Sequence, residues 1–161
     1  MKRALTLAWV MLGWSGAAMA HAPGTLLILP VSLTDTSGEV RDQAADHARR
    51  RALVASEAAA SLPTGGAWRA DILSQAVLDA ACPGADSECV LRLARNRGAA
   101  RILLVEAFKT STLILEARMS LIDAGENKAL LRRFVSFRGD TDDSWRRLGR
   151  FLGQQLAGAP N

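Results

Sequence analysis

Three aspartates, Asp140, Asp142 and Asp143, crowd together just before a run of helical periodicity. Paired carboxylates can share acid–base work or hold calcium. At a helix N-terminus they also satisfy free N–H groups and complement the helix dipole, and that is their expected use here. The oxygen-ligand spacing of an EF-hand is missing. His21 and His47 are the only histidines. No G-x-S-x-G surrounds Ser144, and His47, the one internal base, falls on a helix far along the chain. A Ser-His-Asp triad is therefore not expected. Cys82 and Cys89 are the only cysteines, with a C-x6-C spacing that suits no metal site. Zinc needs three or four ligands, which this chain does not assemble. His21 and a new α-amino group could take a divalent metal such as copper, but a frayed polar terminus is the simpler reading. No catalytic, cofactor-binding or metal-binding residue is assigned, and no cofactor is expected.

The first twenty residues set the compartment. Lys2 and Arg3 precede an uncharged apolar run from Ala4 to Trp14, and Ala18-Met19-Ala20 places small residues before His21. This is the layout of a secretory signal peptide, residues 1–20, cut after Ala20. The apolar run falls short of the roughly 20 residues that span a bilayer. No comparable run follows and no Cys sits at the cleavage point, so neither a membrane span after cleavage nor lipid attachment is expected. Residues 21–161 should form a single periplasmic domain. In that oxidising setting Cys82 and Cys89 are expected to form a disulfide.

Charge excludes one class of partner. The chain has 20 Lys+Arg against 16 Asp+Glu. Two of the basic residues lie in the leader, which leaves a small excess, and Tyr is absent. Neither a basic stripe nor a stacking surface for nucleic acid is present. Arg49-Arg50-Arg51 reads as a solvated helix face. Arg138-Gly139-Asp140 reads as an arginine paired to a carboxylate before a glycine-permitted turn. Arg118, Arg132, Arg133, Arg146, Arg147 and Arg150 form either a cationic face for an acidic partner or a salt-bridged surface with Glu116, Glu126 and the aspartates. Among these, Arg146, Arg147 and Arg150 are the residues expected to bind a partner.

The elements that must position these groups follow from periodicity. Leu26 to Leu33 reads as a buried strand with an irregularity at Pro30. Asp42 to Leu62 is an Ala-rich helix with small residues inward. Trp68 to Ile72 is a weak strand, and Ile72 to Ala81 a helix. A second short helix, capped by Asp86 or Ser87, closes at Gly98. Ile102–Phe108, Leu113–Ile122 and Leu130–Phe137 read as three successive strands, with Asp123 to Lys128 as a hairpin tip. Thr141 or Asp142 caps a last helix on which Trp145, Leu148, Leu152 and Leu156 share a face. The predicted fold class is α/β: a two-layer sandwich, with a mixed sheet, a C-terminal three-strand antiparallel meander and a final helix packed on it.

Two segments resemble known families. Cys82-PGADSE-Cys89, followed by a short helix and the Gly98-Ala99-Ala100-Arg101 step into a strand, resembles the TolB N-terminal-like and CsgG-like envelope domains. Lys109-TSTLIL-Glu116 and Arg138-GDTDDSWRR-Leu148 resemble an uncharacterised proteobacterial family of small exported proteins, with a K-x-S-x-L-I-L strand and an R-G-x-T-D-x-S-W-R-R helix start. With the Cys segment this second likeness runs from Leu26 to Leu152. It implies no activity. It implies an accessory role in the periplasm, for an envelope complex or a quinoprotein dehydrogenase system.

The expected function is thus a non-enzymatic binding or accessory module with a periplasmic protein partner. The alternative is a hydrolase or redox helper with an unrecognised site. A structural envelope component, a third class, would form stable oligomers.

Overall fold

The computed structural model describes residues 23–158. The proposed leader and His21 lie outside them. Six strands form one mixed sheet: β1 (Gly24–Ile28), β2 (Ser32–Asp35), β3 (Trp68–Ile72), β4 (Ala99–Lys109), β5 (Leu115–Asp123) and β6 (Lys128–Phe137). Four helices accompany them: α1 (Ala44–Ala60), α2 (Gln75–Ala81), α3 (Ser87–Asn96) and α4 (Asp142–Ala157).

The strand order is β3-β1-β4-β5-β6, with β2 also paired to β4. β1 runs parallel to β3 and β4, β2 runs parallel to β4, and β4, β5 and β6 form the antiparallel meander. The single strand expected over Leu26–Leu33 is therefore two, interrupted around Pro30, and both halves lie along β4. Proline supplies no N–H for the ladder, so a break there costs little.

Alternation along the meander decides which side is buried. Leu115, Ala117, Met119 and Leu121 face α1 and α4 together with Leu103, Val105 and Ala107. Trp145, Leu148, Leu152 and Leu156 cover them from α4. Leu113 and Ile114, expected at the start of β5, lie exposed in the preceding loop. On the opposite face α2 and α3 pack Leu78, Val90, Leu91 and Ala94 against Leu27, Leu29 and Ile102. They add a partial third layer over β1 and β4, while the same face of β5 and β6 remains open.

Local chemistry sets the helix starts. Ser74, Asp86 and Thr141 are the N-caps of α2, α3 and α4, each accepting a backbone N–H with its side chain. Asp86 takes two, from Glu88 and Cys89. The small residues of α1 face α4 as well as the sheet. A Cβ on Gly149 would stand 2.7 Å from the Val54 carbonyl oxygen, and one on Gly153 2.5 Å from that of Ala58. The two helices thus touch backbone to backbone.

Candidate functional site

The densest group of titratable side chains lies at the C-terminal ends of β2 and β4, where open α/β sheets commonly bind ligands. Lys109 continues the inward series Leu103, Val105, Ala107, and its side chain is 0% exposed. Its ammonium has three acceptors: Gln43 Oε1 at 2.8 Å, Glu39 Oε2 at 2.9 Å and Asp140 Oδ2 at 3.0 Å. Asp35 Oδ2 is 3.5 Å away. A lysine has three N–H bonds to give, and each has a taker.

Asp140 is the second hub, with its side chain 2% exposed. Oδ1 accepts the Trp145 indole N–H at 2.9 Å, and Arg50 Nη1 lies 2.9 Å from the same oxygen. That arginine contact is an ion pair rather than an aligned hydrogen bond, because the Nη1 hydrogens point past the oxygen. Oδ2 takes Lys109 and, at 3.2 Å, His47 Nε2. The other nitrogen, His47 Nδ1, stands 3.9 Å from Asp35.

The charges tune one another. Burial pushes the Asp140 carboxyl up, but hydrogen bonds from Lys109, Trp145 and His47 and the charge of Arg50 outweigh it and hold it below the ordinary carboxylate range. Burial likewise pulls the Lys109 ammonium down, and its bonds to Glu39 and Asp140 more than restore it, so it stays above its ordinary value. A lysine held protonated is no nucleophile, and a carboxylate held ionised is no acid. His47 is wedged between two carboxylates, those of Asp35 and Asp140. The cluster clasps the β2–α1 loop, α1 and the start of α4 to the end of the sheet. A polar recess of about 400 Å³ opens beside it, lined by Ser37, Glu39, Arg41, Asp42 and His47. Lys109 occupies the point where the carboxylates converge and where a metal would have to sit. Among the described residues no group of three or more His, Cys, Asp or Glu could hold a metal ion.

The three aspartates have three different tasks. Thr141, not an aspartate, supplies the side-chain cap of α4. Asp142 takes a two-pronged bond from Arg49, at 2.9 and 3.0 Å, and one from Arg50 at 3.2 Å. These arginines press its carboxyl down to about 2. Asp143 pairs with Arg147 one turn on. The run Arg49-Arg50-Arg51 is accordingly not a uniform solvated face, since Arg50 is buried against Asp140 and Asp142. Arg138 forms no ion pair among the described residues, and its carbonyl accepts the Ser144 hydroxyl at 2.8 Å.

The cysteines are joined, Cys82 to Cys89, with Cα atoms 5.7 Å apart, tying the end of α2 to the first turn of α3. Arg146, Arg147 and Arg150 do not form one patch. Arg146 and Arg150 share Glu57 of α1, at 3.8 and 3.4 Å. Arg147 turns the other way, toward Asp143 and a recess beside β6. All three remain well exposed.

Sequence reasoning missed the Lys109–Asp140 cluster. A signal was present: extending the alternation of β4 by one step puts a lysine on the buried face, and a buried tryptophan needs an acceptor for its indole N–H.

Comparison with known structures places the fold. PelC, solved as a dodecamer from Paraburkholderia phytofirmans, is 14% identical with a TM-score of 0.54 over 84% of this chain and 88% of that one. The hypothetical protein CT253 from Chlamydia trachomatis is 14% identical, TM-score 0.53, over 84% and 96%. TolB from Acinetobacter baumannii is 14% identical, TM-score 0.52, over 87% of this chain but only 30% of that one. Identities this low establish shared architecture alone, and TolB is among the proteins that share it. No curated protein matches the chain. A family model does match, over residues 25–156, and the chain belongs to that family, described as a protein of unknown function (DUF2380).

Proposed function

We propose that this chain is an exported, non-enzymatic binding module. Its leader is cut after Ala20, and residues 21–161 form one periplasmic α/β domain that assists an envelope complex or a periplasmic quinoprotein dehydrogenase system. One observation carries the reading: Lys109, Asp140 and Arg50 are buried and engaged with one another, with His47 and with Glu39 and Gln43. The residues best suited to chemistry therefore hold the fold, and contact with other molecules falls to the surface. There Arg146, Arg147 and Arg150 are ion-paired yet 43–60% exposed, so an acidic partner can compete for them. The resemblance to TolB N-terminal-like envelope domains supports the accessory role.

The test is capture of partners from periplasmic extract by the wild type and by an Arg146→Gln/Arg147→Gln/Arg150→Gln variant. Exposed ion pairs are each worth about 0–1 kcal/mol, so the variant should keep nearly the wild-type melting temperature. It should lose the captured partner, and wild-type capture should weaken as salt rises. A folded variant that retains every partner removes these arginines from the interface. An intact mass that retains residues 1–20 in the periplasm refutes the cleavage.

A further inference from the structure

We infer that the outer edge of β6 is a strand-addition site for an extended, acidic-apolar segment of a partner protein. The inference builds on the binding-module reading and names the partner's chemistry. β6 is ten residues long, pairs only with β5 among the described residues, and contains no proline. Its outer row of backbone N–H and C=O groups is a template for another strand.

Three features around that edge agree. Exposed large apolar side chains gather beside it: Phe134 is 77% exposed on the open face, Leu113 and Ile114 flank its C-terminal end, and Phe151 borders it from α4. Two recesses of mainly apolar lining meet at Phe137 and Arg138, at the strand's end. One, of about 150 Å³, is lined by Val135, Phe137, Leu148 and Phe151. The other, of about 510 Å³, is lined by Leu113, Ile114, Leu115 and Phe137. An added strand sends alternate side chains to opposite faces, so one set can enter the recess bordered by α4 and the other can cover Phe134 on the open face.

Charge chooses the occupant. From Lys128 to Gly139 there are four basic residues and no acidic one. Arg133 shares a face with Val135, and Arg132 shares the other with Phe134, as the register with β5 requires. Arg132, Arg133 and Arg138 form no ion pair among the described residues. A second copy paired antiparallel through the middle of β6 would set either Arg132 or Arg133 directly against its own counterpart. Like charges directly opposite are destabilising. A strand carrying Glu or Asp would instead relieve these arginines, and Arg147 at the neighbouring recess would add a fourth positive charge.

The probe is a capped seven-residue peptide alternating Glu with Val and ending in Phe, titrated into the purified protein by fluorescence anisotropy. Two control peptides accompany it: one with Lys in place of every Glu, and one N-methylated at alternate residues so that it cannot join a ladder. Both should bind at least about tenfold more weakly, a difference of about 1.4 kcal/mol. Arg132→Glu/Arg133→Glu should weaken the acidic peptide by at least about tenfold and reverse the preference between the Glu and Lys peptides. Equal binding of the N-methylated peptide, or indifference to Glu against Lys, overturns the assignment. A concentration-dependent dimer in sedimentation that the acidic peptide does not dissociate overturns it in favour of a second copy. No captured partner is needed here. Failure of the peptides alongside intact capture through Arg146, Arg147 and Arg150 would sink only the β6 site.

Discussion

Trp145 donates its indole N–H to Asp140 Oδ1 across 2.9 Å, both side chains buried at the start of α4. The contact joins the core to the ion cluster and separates two effects of one residue. Trp145→Phe keeps most of the apolar volume, including the edge-on stack with Phe137 at 5.5 Å, but removes a donor from a buried carboxylate. That costs about 1–3 kcal/mol. Trp145→Ala empties the core as well and should cost about 3–5 kcal/mol. Urea unfolding of both variants checks the order.

The cluster makes a signed prediction about pH. Asp35, Glu39, Asp140 and Asp142 are all held below the ordinary carboxylate range, Asp142 at about 2. A depressed carboxylate stabilises the fold fully above its unfolded value of about 4, and that stability is lost as pH falls through the folded value. Lys109 is held above its ordinary value, so its contribution is complete below about 10 and disappears only as pH rises past that. Stability measured by urea midpoint should be level from about pH 5 to 9 and should fall between about 4 and 2.

Lys109→Met breaks the buried pair from one side. It leaves Glu39, Gln43 and Asp140 facing one another without the ammonium, at a cost of about 3–5 kcal/mol. It also relaxes the hold on Asp140, so the onset of acid unfolding should move to higher pH. A variant of wild-type stability at neutral pH would show that the cluster does not clasp the fold.

The contact between α1 and α4 has no room for a methyl group. Gly153→Ala would place a Cβ 2.5 Å from the Ala58 carbonyl oxygen, a backbone atom that cannot swing aside. Overpacking costs about 1–3 kcal/mol, against about 1 kcal/mol returned by alanine's helix propensity. Net destabilisation is expected for Gly153→Ala and Gly149→Ala. Gly158→Ala, with nothing within 4 Å, should be near neutral. Thermal melts of the three decide it.

The disulfide closes a short loop and should contribute about 2–3 kcal/mol in the chain-entropy model. Cys82→Ala/Cys89→Ala should therefore melt lower but still fold, and reductant should lower the wild type toward it. Two titratable thiols in native, oxidised protein would refute the bond.

Local periodicity carried much of the fold. Leu115 to Leu121 alternate, Trp145 to Leu156 recur at helical spacing, and both faces proved buried. What periodicity could not reveal were long-range pairings. Arg50 looks like its neighbours in a basic run because its partner, Asp140, lies ninety residues on. Lys109 looks like the charged end of a strand because Glu39, Gln43 and Asp140 meet it only through the tertiary fold. The division of labour among three adjacent aspartates likewise depends on which arginine each one reaches.

The sheet's connectivity also bears on how the chain acquires its structure. β1 finds β4 only across some seventy intervening residues, Thr25 against Ala99, whereas β4, β5 and β6 are consecutive hairpins. Loop closure makes the second set quick and the first slow. The sticky segment Leu26-Leu27-Ile28 therefore waits longest for its β4 partner, and the lid over one of its faces, α4, is the last of the described helices in chain order. α1 and β3 reach the segment earlier, but its core-facing side chains are fully covered only when the last of the described helices is in place. Sequestration of that segment by a chaperone until Leu156 has emerged would then govern the yield of folded protein more than the stability of the finished domain.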